Sequence, residues 1–134
     1  MKNGCVTDSN ILIYHINNEL NEYGEYLLTR ALKQGAHISI ISRIEVMGWP
    51  RHTESSLKAT EYLLCRFIEH PLNSEVAGIC ISIRQNYRIK LPDAIIAATA
   101  LYLDLPLMTR NIQDFKQLSE IKLINPSEKL RTLI

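Results

Sequence analysis

No stretch of the sequence is apolar for long enough to cross a bilayer. The longest such run, Ala94 to Leu103, lies between Asp93 and Asp104 and is about half the length a membrane helix needs. Near the amino terminus, Thr7, Asp8 and Asn10 interrupt the chain before an apolar segment of signal-peptide length can form. A soluble, cytoplasmic protein with no membrane contact is therefore expected. Cysteine is scarce as well: Cys5, Cys65 and Cys80 are odd in number, share no C-x-x-C spacing and lie in apolar stretches. That argues against a disulfide framework and predicts buried free thiols in a reducing compartment. None of His15, His37, His52 and His70 has ligand-like spacing with a cysteine or a second histidine, so a zinc site is not expected. His37 is assigned to a strand edge and His52 and His70 to loops, which leaves His15 as the one histidine to watch. Nor is there a G-x-x-x-x-G-K-[ST], a G-x-G-x-x-G or a G-x-S-x-G, so the usual sites for nucleoside triphosphates, dinucleotides and acyl transfer are missing. A strong charge of either sign is lacking too. The net charge of +1 gives no global attraction to nucleic acid, so such a substrate would have to be held locally.

What is present is an ordinary globular composition, 46% hydrophobic and 22% charged, in a length of 134 residues that suits one domain spanning 1–134. Gly4 to Thr7 reads as a strand running into the capping cluster Asp8-Ser9-Asn10 and a helix carrying Ile11 to Tyr14. Glu22 to Gln34 has apolar residues at helical spacing and ends at Gly35, after which His37 to Ile41 has the β-branched character of a buried strand beside the first. Helices are expected from Ser42 to Trp49, from Ser55 to Glu69, and from Asn73 or Ser74 to Tyr87. His70 to Leu72 is a brief strand candidate. Lys90 to Thr99 is the centre of the sequence: Pro92 suits a first helical position, Asp93 falls in the first turn, and the Ala-rich remainder reads as a helix covered on most sides. Leu105 to Thr109 and Ile121 to Ile124 are the last strands, with one helical turn capped by Asn111 between them. Short apolar strands alternating with helices predict a three-layer α/β/α sandwich with a short, mainly parallel sheet.

Ligands of such sheets sit outside the carboxyl ends of the strands. Four acids are expected at that edge: Asp8 after the first strand, Glu45 after the second, Asp93 at the start of the Ala-rich helix and Asp114 after the fourth strand. Singly, each has an ordinary structural explanation. Asp8 and Asn111-x-x-Asp114 could cap helices, Ser42-x-x-Glu45 fits a capping box, and Asp93 complements a helix dipole. Together they would repel one another and raise each other's pKa unless a cation intervened, and a set of hard oxygens favours Mg²⁺ or Mn²⁺. Metal-assisted phosphodiester hydrolysis is the chemistry that remains.

The stretches Thr7-Asp8-Ser9-Asn10-Ile11-Leu12-Ile13, Ser42-Arg43-Ile44-Glu45, Leu91-Pro92-Asp93-Ala94-Ile95-Ile96-Ala97-Ala98-Thr99 and Leu107-Met108-Thr109-Arg110-Asn111-Ile112-Gln113-Asp114-Phe115 resemble, in order and spacing, the motifs of PIN-domain ribonucleases. The resemblance spans nearly the whole chain, and the length without a second domain is most similar to the VapC-type toxins of toxin–antitoxin modules. It implies a metal-dependent endoribonuclease acting on RNA and held in check by a cognate antitoxin, with a homodimer expected. By the same resemblance Asp8, Glu45 and Asp93 would be the core catalytic and metal-binding acids, and Asp114 a weaker or water-mediated fourth. Ser9, Thr109 and Asn111 would orient them; Ser9 stands where a threonine is common. Arg84, Arg88, Lys90 and Arg110 are candidate RNA-phosphate contacts, and Tyr14, Tyr23, Tyr26 and Leu27 candidate contacts to the antitoxin or a second copy. Two other readings stay open. One is a non-catalytic PIN-like module that binds RNA or protein; the other is a receiver-type domain, which would want a phosphoacceptor Asp after the third strand that the sequence does not clearly offer.

Overall fold

The computed structural model describes residues 4–127, so the two ends of the expected 1–134 domain lie outside the described residues. Five short strands, β1 (Cys5–Thr7), β2 (Ala36–Ser39), β3 (Ile68–His70), β4 (Leu107–Met108) and β5 (Leu123–Ile124), are all parallel and lie in the order β3-β2-β1-β4-β5. Around them are α1 (Ser9–Ile16), α2 (Glu22–Gln34), α3 (Ile40–Met47), α4 (Glu54–Leu64), α5 (Ser74–Asn86), α6 (Leu91–Leu103) and α7 (Ile112–Phe115).

Strand side chains alternate between faces, and here the alternation separates two cores. Val6 and Leu107 join α5 and α6 through Val76, Cys80 and Ile96, whereas Cys5 and Met108 join α1, α2 and α3 through Leu12, Leu28 and Val46. A sheet covered on both faces is the sandwich that the sequence predicts. Helix α6 is the most enclosed of the helices, with every residue from Ala94 to Ala100 buried. Its alanines let backbone come close, and it ends where Asp104 turns into the left-handed region at φ 55°. At the start of β1, Gly4 (φ 113°) passes so close to α2's end that an added Cβ would meet the Gly35 carbonyl oxygen at 2.2 Å.

Several boundaries differ from expectation for local reasons. Helix α3 starts at Ile40, where Ser39 accepts from the Ile41 amide, so Ser42 and Glu45 lie inside the helix and form no capping box. Helix α4 stops at Leu64 rather than Glu69. The strand candidate at His70 moves back to Ile68–His70, since Pro71 has no N–H to give a ladder. His70 is thus a strand residue, not a loop residue. Helix α6 begins at Leu91, one residue before Pro92, and β4 shrinks because the Leu105 amide closes α6 onto the Ala100 carbonyl. Cys65, expected to be buried, is exposed at the end of α4, while Cys5 and Cys80 are buried; all three are free thiols.

Candidate active site

The chain leaves β1 toward β2 and β3 on one side and returns to β4 and β5 on the other, which opens a crevice at the carboxyl ends of β1 and β4. Asp8 and Thr109 stand directly on those ends. Asp8 is extended (φ −70°, ψ 150°) and heads α1; its Oδ1 accepts from the Ser9 amide at 2.8 Å and its Oδ2 from the Thr109 hydroxyl at 2.7 Å. Thr109, fully buried, also accepts from the Asn111 amide at 2.9 Å, and the Asn111 side-chain amide donates to Asp114 Oδ2 at 2.7 Å. On the other side of Asp8, the Ser9 hydroxyl donates to Glu45 Oε1 at 2.7 Å. Asp93, half-buried in the first turn of α6, completes the group.

The acids feel one another. Burial pushes the Asp8 carboxyl up to about 6, opposed by the Thr109 hydrogen bond and reinforced by the charges of Asp93 and Glu45. Asp93 is also raised, first by burial and then by the charges of Asp114 and Glu45, with Lys90 acting in the opposite sense. Four carboxylates from four segments therefore share one electrostatic environment. Three of them are already oriented by a donor from Ser9, Thr109 or Asn111, the three residues the sequence singles out for that task.

A hard divalent cation suits this donor set chemically, since every group is an oxygen and the mutual repulsion is what a cation would relieve. The side chains are not drawn together into a ready-made ligand set: among the described residues, no three His, Cys, Asp or Glu side chains converge closely enough to hold a metal ion. Repulsion between like charges gives a physical reason for that spacing.

The expected cationic residues divide into two groups. Lys90 lies close enough to act on Asp93, and the Arg110 guanidinium, one residue past Thr109, sits 4.1 Å from the centre of the Tyr14 ring. Arg84 and Arg88 instead line an open hollow of about 410 Å³ with Tyr87 and Ile89 at the α5–α6 turn. Tyr23 and Tyr26 stack on each other at 6.5 Å, with Tyr26 exposed, while Leu27 packs against the second core. Two placements escaped sequence reasoning. The fully buried Ser42 hydroxyl lies 2.9 Å from Ser9 Oγ, and the His37 and His70 rings meet at 2.9 Å between Nδ1 and Nε2 across adjacent strands. Only Ser42 had a signal, through its place three residues before Glu45. His15 takes up its role by pairing with Glu25 of α2 at 2.7 Å.

The sequence matches the family model described as the PIN domain over residues 5–121. The chain belongs to the PIN-domain family. Among solved structures it is similar to a chain of a toxin–antitoxin complex from Klebsiella pneumoniae, with 31% identity over 94% of this chain and 100% of that one, at a TM-score of 0.79. The same PIN fold recurs in VapBC2 from Rickettsia felis bound to a DNA fragment from its promoter, with 22% identity over 90% and 96% of the two chains and a TM-score of 0.77. It recurs again in DNA-bound VapBC from Salmonella typhimurium, with 21% identity over 92% and 98% and a TM-score of 0.79. No curated protein matches the sequence significantly.

Proposed function

We propose that this PIN domain is a metal-dependent endoribonuclease hydrolysing RNA phosphodiester bonds, and the toxin of a toxin–antitoxin pair. The observation that carries most weight is the electrostatic coupling of Asp8, Glu45, Asp93 and Asp114 at the β1–β4 crevice, with Ser9, Thr109 and Asn111 directed at three of them. Asp8, Glu45 and Asp93 would hold Mg²⁺ or Mn²⁺, with Asp114 as a fourth acid. Such an ion, when bound, activates water for in-line attack and offsets charge on the phosphate. The chain's own part is to fix the carboxylates. Thr109 and the Ser9 amide occupy one lone pair on each Asp8 oxygen, Ser9 anchors the exposed Glu45, and Lys90 and Arg110 supply positive charge for RNA phosphates at the rim.

The antitoxin partner is inferred from the toxin–antitoxin complexes among the similar structures, and an acidic crevice suits a partner that inserts Lys or Arg. The protein would act in the cytoplasm, as a homodimer. Incubating the purified protein with structured and single-stranded RNA, with Mg²⁺, Mn²⁺ or chelator, tests the reading: cleavage only with the cation is expected, and addition of the antitoxin should suppress it. The non-catalytic alternative draws on the open spacing of the carboxylates. RNA retention without cleavage at any concentration of either cation would establish that alternative instead.

A further inference from the structure

We propose that Ser42 is a positioning residue, which sets the orientation of the Glu45 carboxylate through the hydroxyl of Ser9. The proposal rests on the nuclease reading only for its consequence, not for its geometry. Glu45 is exposed, on a side chain with several free torsions, and one donor holds its head: Ser9 Oγ at 2.7 Å. A serine hydroxyl has a single proton and two lone pairs. The Ser9 hydroxyl faces two acceptors, Glu45 Oε1 at 2.7 Å and the Ser42 Oγ at 2.9 Å; charge-assisted bonds are the stronger, so its proton goes chiefly to the carboxylate while the Ser42 contact holds Ser9 from the other side.

Those two contacts of Ser9 make a relay across two helices. Ser42 sits in α3 with no exposed surface, Ser9 opens α1 with 6% exposure, and the relay returns to α3 at Glu45. The buried Ser42 oxygen behind Ser9 fixes the rotamer of the Ser9 hydroxyl, and with it the direction from which Glu45 is held. Without Ser42, the Ser9 hydroxyl keeps its acceptor but loses the contact that holds its rotamer. Ser42 itself is fully enclosed and touches neither substrate nor ion; it acts through Ser9. On the far side of Asp8 another hydroxyl is likewise held from behind while it donates to a carboxylate: Thr109 accepts from the Asn111 amide and donates to Asp8.

The test is a double-mutant cycle on the full chain with Ser42→Ala, Ser9→Ala and both together, read by Mn²⁺ titration with electron paramagnetic resonance. Supporting residues behind a metal ligand are worth roughly 10–100-fold in metal affinity, so Ser42→Ala should weaken Mn²⁺ binding by about tenfold. In the Ser9→Ala background the same change should add nothing further, because the relay is already cut. Additive losses, or no loss, would overturn the proposal. The near-isosteric Ser42→Cys covers the case in which alanine unfolds the protein, and its sulfur, a weaker acceptor, should give an intermediate loss. A second readout needs no metal: the ¹³C carboxyl signal of Glu45, labelled selectively, should move in Ser42→Ala toward its position in Ser9→Ala. An unmoved signal would refute the relay. A moved signal in a parent protein that binds no Mn²⁺ would leave the relay standing and remove the metal-dependent nuclease reading.

Discussion

The helices of this protein begin in two different ways, according to whether their first turn carries one of the four crevice acids or its support. Helices α2, α4 and α5 are capped in the ordinary manner, Asn21, Thr53 and Asn73 accepting from the amides of Gly24, Ser56 and Val76 in the third helical position, and Ser39 caps α3 through the Ile41 amide. At the crevice the equivalent groups are turned elsewhere. Asp8 bonds only the first amide of α1 and gives its other oxygen to Thr109; Lys90 makes no cap with its side chain; Asn111 makes none either and spends its amide on Asp114. Residues of the same type thus stabilise a helix in one place and hold a carboxylate in the other. Burial and one another's charges raise the carboxyls of Asp8 and Asp93 there, against the lowering effect of the Thr109 bond on Asp8, a pattern that marks functional sites more often than structural ones.

Asp93→Asn puts this contrast under the greatest strain, because it keeps shape and removes one charge. Were Asp93 only a first-turn acid serving the dipole of α6, the change would cost about 0.3–1 kcal/mol and leave RNA cleavage intact. As a direct metal ligand it should matter more than a supporting residue, whose loss costs roughly 10–100-fold, so cleavage should fall on the order of 1000-fold. Melting curves provide the second measurement. Mn²⁺ should raise the melting temperature of the parent far more than that of the variant, since a ligand stabilises the fold only through its affinity for it. Equal shifts would take Asp93 out of the site.

A smaller effect is expected from Asp8→Asn, read as the pH dependence of stability without metal. The folded carboxyl titrates at about 6 against an ordinary 3.8, so between those values the folded state binds more protons than the unfolded one. Stability of the parent should therefore fall as pH rises from about 4 to about 6, by roughly 3 kcal/mol for a shift of about two units, and level off above. The variant should lose that part of the slope, and Mn²⁺ should offset it in the parent. The slope is the readout, because the variant also replaces the charged acceptor of Thr109. Chemical denaturation at pH 4, 5, 6 and 7 gives it directly; an unchanged slope would mean that the charge on Asp8 carries no cost.

How far the sequence foretold this arrangement depends on how local the signal was. The core helix α6 was legible from its run of small apolar residues, and so were the parallel sheet and the edge that gathers the acids, because Asp8, Asp93 and Asn111 follow recognisable boundaries. Spacing could not decide between uses: Ser42-x-x-Glu45 fits a capping box and the interior of α3 equally well, and only the cap at Ser39 resolves it. Partners far apart in the chain, such as Ser9 with Ser42, Arg110 with Tyr14 and His37 with His70, leave no periodic trace. The exposure of Cys65 was equally hidden, since it depends on where α4 stops rather than on its apolar neighbours.

The mildest test sets one asparagine against another. Asn73 and Asn111 both precede a helix, and their side-chain bonds have similar lengths, 2.9 Å to the Val76 amide and 2.7 Å to Asp114. Asn73→Ala removes a true cap, so it should lower stability by about 1 kcal/mol and leave cleavage unchanged. Asn111→Ala removes no cap from α7. Its main-chain amide still reaches Thr109, and the freed Asp114 can turn toward water, so stability should move by less than in Asn73→Ala. Cleavage should drop several-fold, and the Mg²⁺ concentration needed for half-maximal rate should rise, because Asp114 has lost the donor that aims it. Side-by-side unfolding and cleavage measurements on the two variants decide the matter: if Asn111→Ala proves as destabilising as Asn73→Ala and cleaves like the parent, Asn111 is an ordinary helix residue and the two kinds of helix start do not differ in the way described.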